Sequence, residues 1–139
     1  MNPVVVVAVL VALVALASGL GVLHRATAGR ARTISGAEQL SLDGVALGER
    51  ATLLQFSTEV CTPCRSTARV LGEVADRTDA VRHVDFDITN RPDVAARFNV
   101  LQTPTTLIVD GSGAIRARIG GAVRRDVVAA ELDRVLTAA

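Results

Sequence analysis

An unbroken apolar run, Val4 to Leu23, precedes a chain in which short apolar and amphipathic blocks alternate with polar joints. The run holds 20 uncharged residues, with only Ser18, Gly19 and Gly21 as small or weakly polar breaks. That is close to the ~20 residues a helix needs to cross a bilayer. No face of it is polar, which argues against a core helix and predicts a transmembrane one. After a joint around Thr33 to Gly48, rich in small residues, Ala51 to Ser57 (ATLLQFS) is short and apolar and predicts a buried strand. Cys61 to about Arg77 places Ala68, Leu71, Val74 and Ala75 on one helical face. Pro63 falls in the first turn of that helix, where a missing N–H costs nothing. Val81 to Ile88 (VRHVDFDI) alternates partly and predicts a second strand, and Asn90-Arg91-Pro92-Asp93 starts a short helix running to about Asn99. Thr105 to Val109 and Ala114 to Ile119 flank the turn Asp110-Gly111-Ser112-Gly113 and predict an antiparallel hairpin. Arg124 to Leu136 fits a closing helix.

Strand, helix, strand, helix, hairpin, helix is the order of an α/β domain. Its central sheet is mixed, parallel where helices cross over and antiparallel at the hairpin. The predicted organisation is an anchor over 1–24, a basic joint and start of the domain over 25–48, and the folded domain over 49–139. A chain of 139 residues leaves room for one compact domain of about 100 residues beside the anchor and none for a second catalytic domain. Aromatics are only 2%, so the core must be built from aliphatic residues with Phe56, Phe86 and Phe98.

Every one of the 15 basic residues is Arg. Three of them, Arg25, Arg30 and Arg32, stand apart from any acid; from Thr33 onward 12 Arg face 14 Asp and Glu, a balance that argues against nucleic acid as partner. Because the Arg residues all follow the apolar run, the positive-inside rule places the domain in the cytoplasm. Only Met1 to Pro3 would then have to cross. The charged α-amino group keeps the outside-facing arrangement open. A cleaved secretory signal is the rival for the run, with Ala26-Thr27-Ala28 as a small-residue cleavage site. Against it, no Lys or Arg precedes the run, and the run exceeds the usual apolar core of about 7–15 residues. Lipid contact through Val4 to Leu23 is therefore expected, although Gly19-Leu20-Gly21 is not a helix-dimer spacing.

The two cysteines form Cys61-Thr62-Pro63-Cys64 where the first strand of the domain gives way to its helix. A thiol at a helix N-terminus lies near unpaired N–H groups and the positive end of the dipole, which favour the nucleophilic thiolate. The first sulfur can lie exposed at the tip while the second sits one turn in, close enough to close a disulfide. Cys61 is then the attacking group and Cys64 the resolving one. A stapling disulfide and half of a zinc site are the alternatives. Zinc wants about four ligands, and only His24 and His83 remain as soft donors.

Thr52 to Arg65 (TLLQFSTEVCTPCR), Val81 to Asp87, Thr103-Pro104-Thr105 and Gly120 follow in order and spacing the pattern of the thioredoxin family, which the chain resembles over about residues 50 to 138. The resemblance implies a thioredoxin-like fold in which Pro104 is a cis-proline beside the active disulfide and the Thr103 backbone pairs with an extended substrate segment. A cis bond is affordable almost only before proline, and an unpaired strand end can receive a peptide by edge addition. Three positions depart from the pattern. Val60 stands where the family usually has Trp, Thr62 where reductases usually have Gly, and Gln55 where a buried Asp assists proton transfer. Gln55 cannot ionise, so a proton for Cys64 must come from water or another group. His83 falls where the family has the lysine partner of that Asp. An imidazole there is either the missing proton carrier or an ordinary half-exposed strand residue. Arg65 and Arg69 would favour a Cys61 thiolate and Glu59 would oppose it, but solvated charges on an exposed helix face are the simpler reading.

The expected function is thiol-disulfide exchange with protein substrates, with no organic cofactor and no metal. Cys61 attacks a substrate disulfide and Cys64 releases the reduced substrate, after which another, unidentified, protein restores the dithiol. The rival is a catalytically weak binding module of the same fold tethered to the membrane, motivated by the missing Trp and Asp. Metal delivery through the cysteine pair is a third reading and predicts tight Cu(I) or Zn(II) binding.

Overall fold

In the computed structural model, which describes residues 2–27, 29–34 and 38–138, a long N-terminal helix α1 (Pro3–Thr27) precedes an α/β domain. The domain runs β1 (Ala31–Thr33), β2 (Ala51–Ser57), α2 (Thr62–Asp76), β3 (Val81–Asp87), α3 (Pro92–Arg97), β4 (Thr105–Asp110), β5 (Ile115–Gly120) and α4 (Arg125–Ala138). Within α1 the stretch Pro3–Leu23, 21 residues long, is apolar enough to cross a membrane, and none of it is buried against the domain. The side chains of His24 and Arg25, and Ala28 of the Ala26-Thr27-Ala28 segment, lie outside the described residues.

The sheet order is β1-β5-β4-β2-β3. β2 pairs parallel with β3 (Gln55 opposite Asp85) and antiparallel with β4 (Phe56 opposite Thr105). β4 pairs antiparallel with β5 (Thr105 opposite Gly120), as the turn over Asp110–Gly113 predicts. β2 and β4 are buried along their whole length, whereas β3 alternates. A strand buried on both faces needs a continuous apolar run, and an edge strand needs only one apolar face.

The stretch 25–48, read as a joint and the start of the domain, contributes one strand and several core contacts. Ala31–Thr33 forms β1, antiparallel to β5 with Ala31 opposite Ile119, and Gln39 makes an isolated antiparallel bridge to Ala114, the residue just before β5. Ile34, Leu40, Leu42 and Val45 pack against the core. A three-residue strand with one half-buried side chain leaves no periodic signal, because its pairing is set by the neighbouring backbone and not by its own pattern.

Two apolar clusters cover the faces of the sheet. One joins Leu53, Leu71, Ile108, Val128 and Leu132 beneath α2 and α4, and the other joins Leu54, Phe56, Val94, Phe98, Leu107 and Ile115 on the α3 side. Phe56 meets the Phe86 ring edge-on at 6.2 Å and the tilted Phe98 ring at 5.4 Å, so the three aromatics share one face. The buried face of α2 runs Cys64, Thr67, Leu71, Val74 and Ala75. Thr67, and not Ala68, occupies its second turn. Burial there follows the i, i+3, i+7 row through Cys64, whatever the polarity of the residue on it.

Candidate active site

β2 ends at Ser57 in the middle of the sheet, and α2 begins five residues later. Cys61 is the N-cap of α2, with extended backbone (φ −142°), and Pro63 lies in the first turn. Cys61 is half-buried, whereas Cys64 is only 4% exposed. The two sulfurs are joined as a disulfide, with Cα atoms 5.3 Å apart. No side chain caps the helix and its first turn carries no acid, so its N–H groups and positive dipole end act on the sulfurs without a competing carboxylate.

The segment entering Cys61 is fixed by residues that the motif alone does not single out. The Glu59 N–H donates to Thr89 Oγ1 at 3.0 Å, and the Thr89 hydroxyl donates to Asp87 at 2.6 Å. The Thr89 bonds hold the Asp87 carboxyl below its ordinary pKa. The Ser57 hydroxyl donates to Asp85 at 2.5 Å. Because β2 and β3 are parallel, both end at the disulfide, and polar residues at the end of β3 brace the loop leaving β2. A polar-ended strand beside a CxxC-bearing one was the only signal for this.

On the other side, the Thr103–Pro104 peptide bond is cis. Pro104 is buried and Thr103 half-buried, and Thr103 Oγ1 lies 3.3 Å from Thr58 Oγ1, tying this loop to the one that carries Cys61. The Gly121 N–H donates to the Pro104 carbonyl at 2.8 Å, so β5 runs into the same end of the sheet. A Cβ on Gly120 would lie 2.7 Å from Gln102 Nε2, so glycine allows the Gln102 amide to lie across the strand end. Two large apolar side chains stand open at this end, Val60 at 98% and Leu101 at 86% exposure.

Beneath α2, Gln55 is fully buried and its Nε2 donates to the Cys64 carbonyl at 2.9 Å. Gln55 Oε1, Thr67 Oγ1, Thr106 Oγ1 and His83 Nε2 are buried with no protein hydrogen-bond partner. Gln55 and Thr106 are cross-strand partners, so two of these atoms belong to neighbouring positions behind the disulfide. His83 is not brought to Cys64. Its Nδ1 lies 3.9 Å from where a Cβ on Gly72 would stand, and Gly72 is eight residues, about 12 Å, further along α2 than Cys64. Burial lowers the His83 pKa, against the raising influence of Asp85 on its own strand and Asp76 on α2, so the imidazole is held neutral. Arg65, Arg69 and Glu59 are exposed, which agrees with solvated charges.

A cysteine pair opening a helix after a central strand, next to a cis-proline loop in a mixed sheet flanked by helices, defines the thioredoxin-like class. The thioredoxin family model matches residues 42–134, and the chain belongs to the thioredoxin family. It is 32% identical over 82 residues to thioredoxin H2 of Arabidopsis thaliana, covering 59% of this chain and 62% of that one. It is 33% identical over 73 residues to thioredoxin of Listeria monocytogenes, covering 52% of this chain and 71% of that one. The chain therefore spans less than two thirds of the plant relative's length. Its fold is similar to that of chloroplastic thioredoxin z, with a TM-score of 0.58 at 23% identity over 64% of this chain and 80% of that one.

Proposed function

We propose that the protein exchanges its Cys61–Cys64 dithiol and disulfide with protein substrates. The observation that carries this reading is the asymmetry of the pair, a half-buried cysteine at the uncapped helix tip and a buried one a turn below. In the reducing direction the Cys61 thiolate attacks a substrate disulfide, forming a mixed disulfide and expelling one substrate thiolate. The Cys64 thiolate then attacks Cys61 Sγ, closing the intramolecular disulfide and releasing the second substrate thiolate. Two electrons pass to the substrate, water protonates its thiolates, and a dithiol protein restores the starting state. Thr103, before the cis bond, offers its backbone to an extended substrate segment.

The Pro3–Leu23 stretch of α1 anchors the α/β domain, which begins with β1, to a membrane, and Arg30 and Arg32 beyond it favour the cytoplasmic side. Full-length protein in detergent, supplied with a small dithiol, is expected to speed reduction of a protein disulfide, and Cys61→Ser to abolish this. No acceleration by the wild type would instead support a tethered binding module, the reading motivated by the non-ionisable Gln55. Sidedness follows from labelling intact cells with an impermeant thiol reagent after a permeant reductant. Reaction of Cys61 only after lysis supports the cytoplasmic placement.

A further inference from the structure

We infer that the thiol site works on disulfides in membrane-proximal segments of integral membrane proteins. The reason is that the anchor enters the fold at the end of the sheet that carries the disulfide. This rests on the anchoring and exchange chemistry proposed above. β2 runs toward the disulfide and ends at Ser57; β4 starts at that end, since Thr105 lies opposite Phe56. β5 finishes there, since Gly120 lies opposite Thr105, and β1 starts there, since Ala31 lies opposite Ile119. The chain leaving α1 therefore arrives beside the active end. The opposite end, with the turn after Asp110, is about 20 Å further along strands of six to seven residues.

The stitch to the sheet follows two residues after the end of α1. The Gly29 N–H donates to the Gly120 carbonyl at 2.8 Å, and the neighbouring Gly121 N–H donates to the Pro104 carbonyl at 2.8 Å. Gly29 has φ +74°, and a Cβ there would lie 2.7 Å from the Ala122 carbonyl oxygen, so glycine is what lets the backbone reach β5. α1 continues to Thr27, two residues before that stitch. From Leu23, four helical residues and two extended steps span at most about 14 Å. The polar headgroup layer is itself roughly 6 Å deep. A domain on a long tether samples all heights, whereas this one is attached to its anchor at the active end.

The surface at that end suits such a partner. Val60 (98% exposed) and Leu101 (86% exposed) flank the two active-site loops, and the Trp and Tyr side chains that gather where a span leaves the bilayer offer rings to meet them. A substrate in the same membrane also meets the thiol at a high effective concentration, but only if its disulfide lies at a height the domain reaches.

The test uses reduced full-length protein reconstituted in vesicles with one of two oxidised single-span reporters. One carries a disulfide directly after its span, and the other carries the same disulfide on a helical spacer of about 40 residues, which raises it by about 60 Å. In a single turnover, one reporter disulfide is reduced for each Cys61–Cys64 pair oxidised. The near reporter is expected to react at least about 10-fold faster than the raised one. Inserting 20 Gly and Ser residues between Thr27 and Ala28 should collapse that ratio while leaving the rate with a small soluble disulfide unchanged. Equal rates for the two reporters with the native chain, or a ratio that the insertion does not alter, would overturn the inference. Reduction of the soluble disulfide with neither reporter reacting overturns it alone, and failure on all three overturns the exchange chemistry as well.

Discussion

The Gln55 side-chain amide donates to the Cys64 carbonyl at 2.9 Å, joining the central strand to the buried cysteine of the disulfide. The bond fixes the first turn of α2 from beneath, where a carboxylic acid would instead add a titrating group. Gln55→Leu removes it within a fully buried site, and is expected to cost about 1–2 kcal/mol in a denaturant titration. A cost near zero would show that the start of α2 is held by its own backbone alone.

Thr106 makes the opposite case, because its buried hydroxyl has no protein partner. Thr106→Val replaces an unpaired polar atom by a methyl group of similar volume and should leave stability unchanged or raise it by about 1 kcal/mol. Thermal unfolding decides the sign. A loss of stability would mean that the hydroxyl is held by a buried water shared with Gln55 Oε1.

Acid sensitivity should centre on Asp110. Burial raises its pKa, but hydrogen bonds from Ser112, Arg116 and the Ala114 N–H outweigh burial and bring it down to about 2, from the ordinary 3.8. A folded pKa below the unfolded one gives stability that is complete above about 3.8 and is lost as pH falls toward 2. Asp110→Asn keeps the shape, removes the ion pair with Arg116, and should flatten the stability curve across that window in urea melts at stepped pH.

His83 governs a second window. Burial depresses its folded pKa below 6.5, even with Asp85 and Asp76 nearby. The neutral form therefore stabilises the fold above pH 6.5, and this contribution is lost as pH falls through the depressed value. His83→Phe should remove this slope. Because His83 faces Gly72, well down α2 from Cys64, the same variant should leave the pH profile of disulfide exchange unchanged. A shifted profile would restore the imidazole as a proton carrier.

Much of this was legible in the sequence, because local chemistry and long-range pairing agreed. ATLLQFS, short, apolar and bounded by polar residues, reads as a buried strand, and Pro63 fits the first turn of the helix that follows. The cysteine pair was visible from its place between a strand and a helix, whereas the cis bond before Pro104 was expected only from the family resemblance. What escaped was decided by partners distant in sequence. Ala31–Thr33 is a strand because β5 has a free edge beside it, and Thr89 braces Glu59 only because β3 ends alongside β2. The polar row behind the disulfide follows from register. Gln55 lies opposite Thr106 on the neighbouring strand, a pairing that no single segment encodes.

The most direct test of thiol-disulfide exchange through Cys61 is trapping. Reduced full-length Cys64→Ser protein, mixed with an oxidised protein substrate, is expected to accumulate a mixed disulfide through Cys61, resolved by mass spectrometry and cleared by added dithiol. Cys61→Ser should yield none. Equal trapping by both variants, or exchange at the wild-type rate without Cys61, would contradict the account.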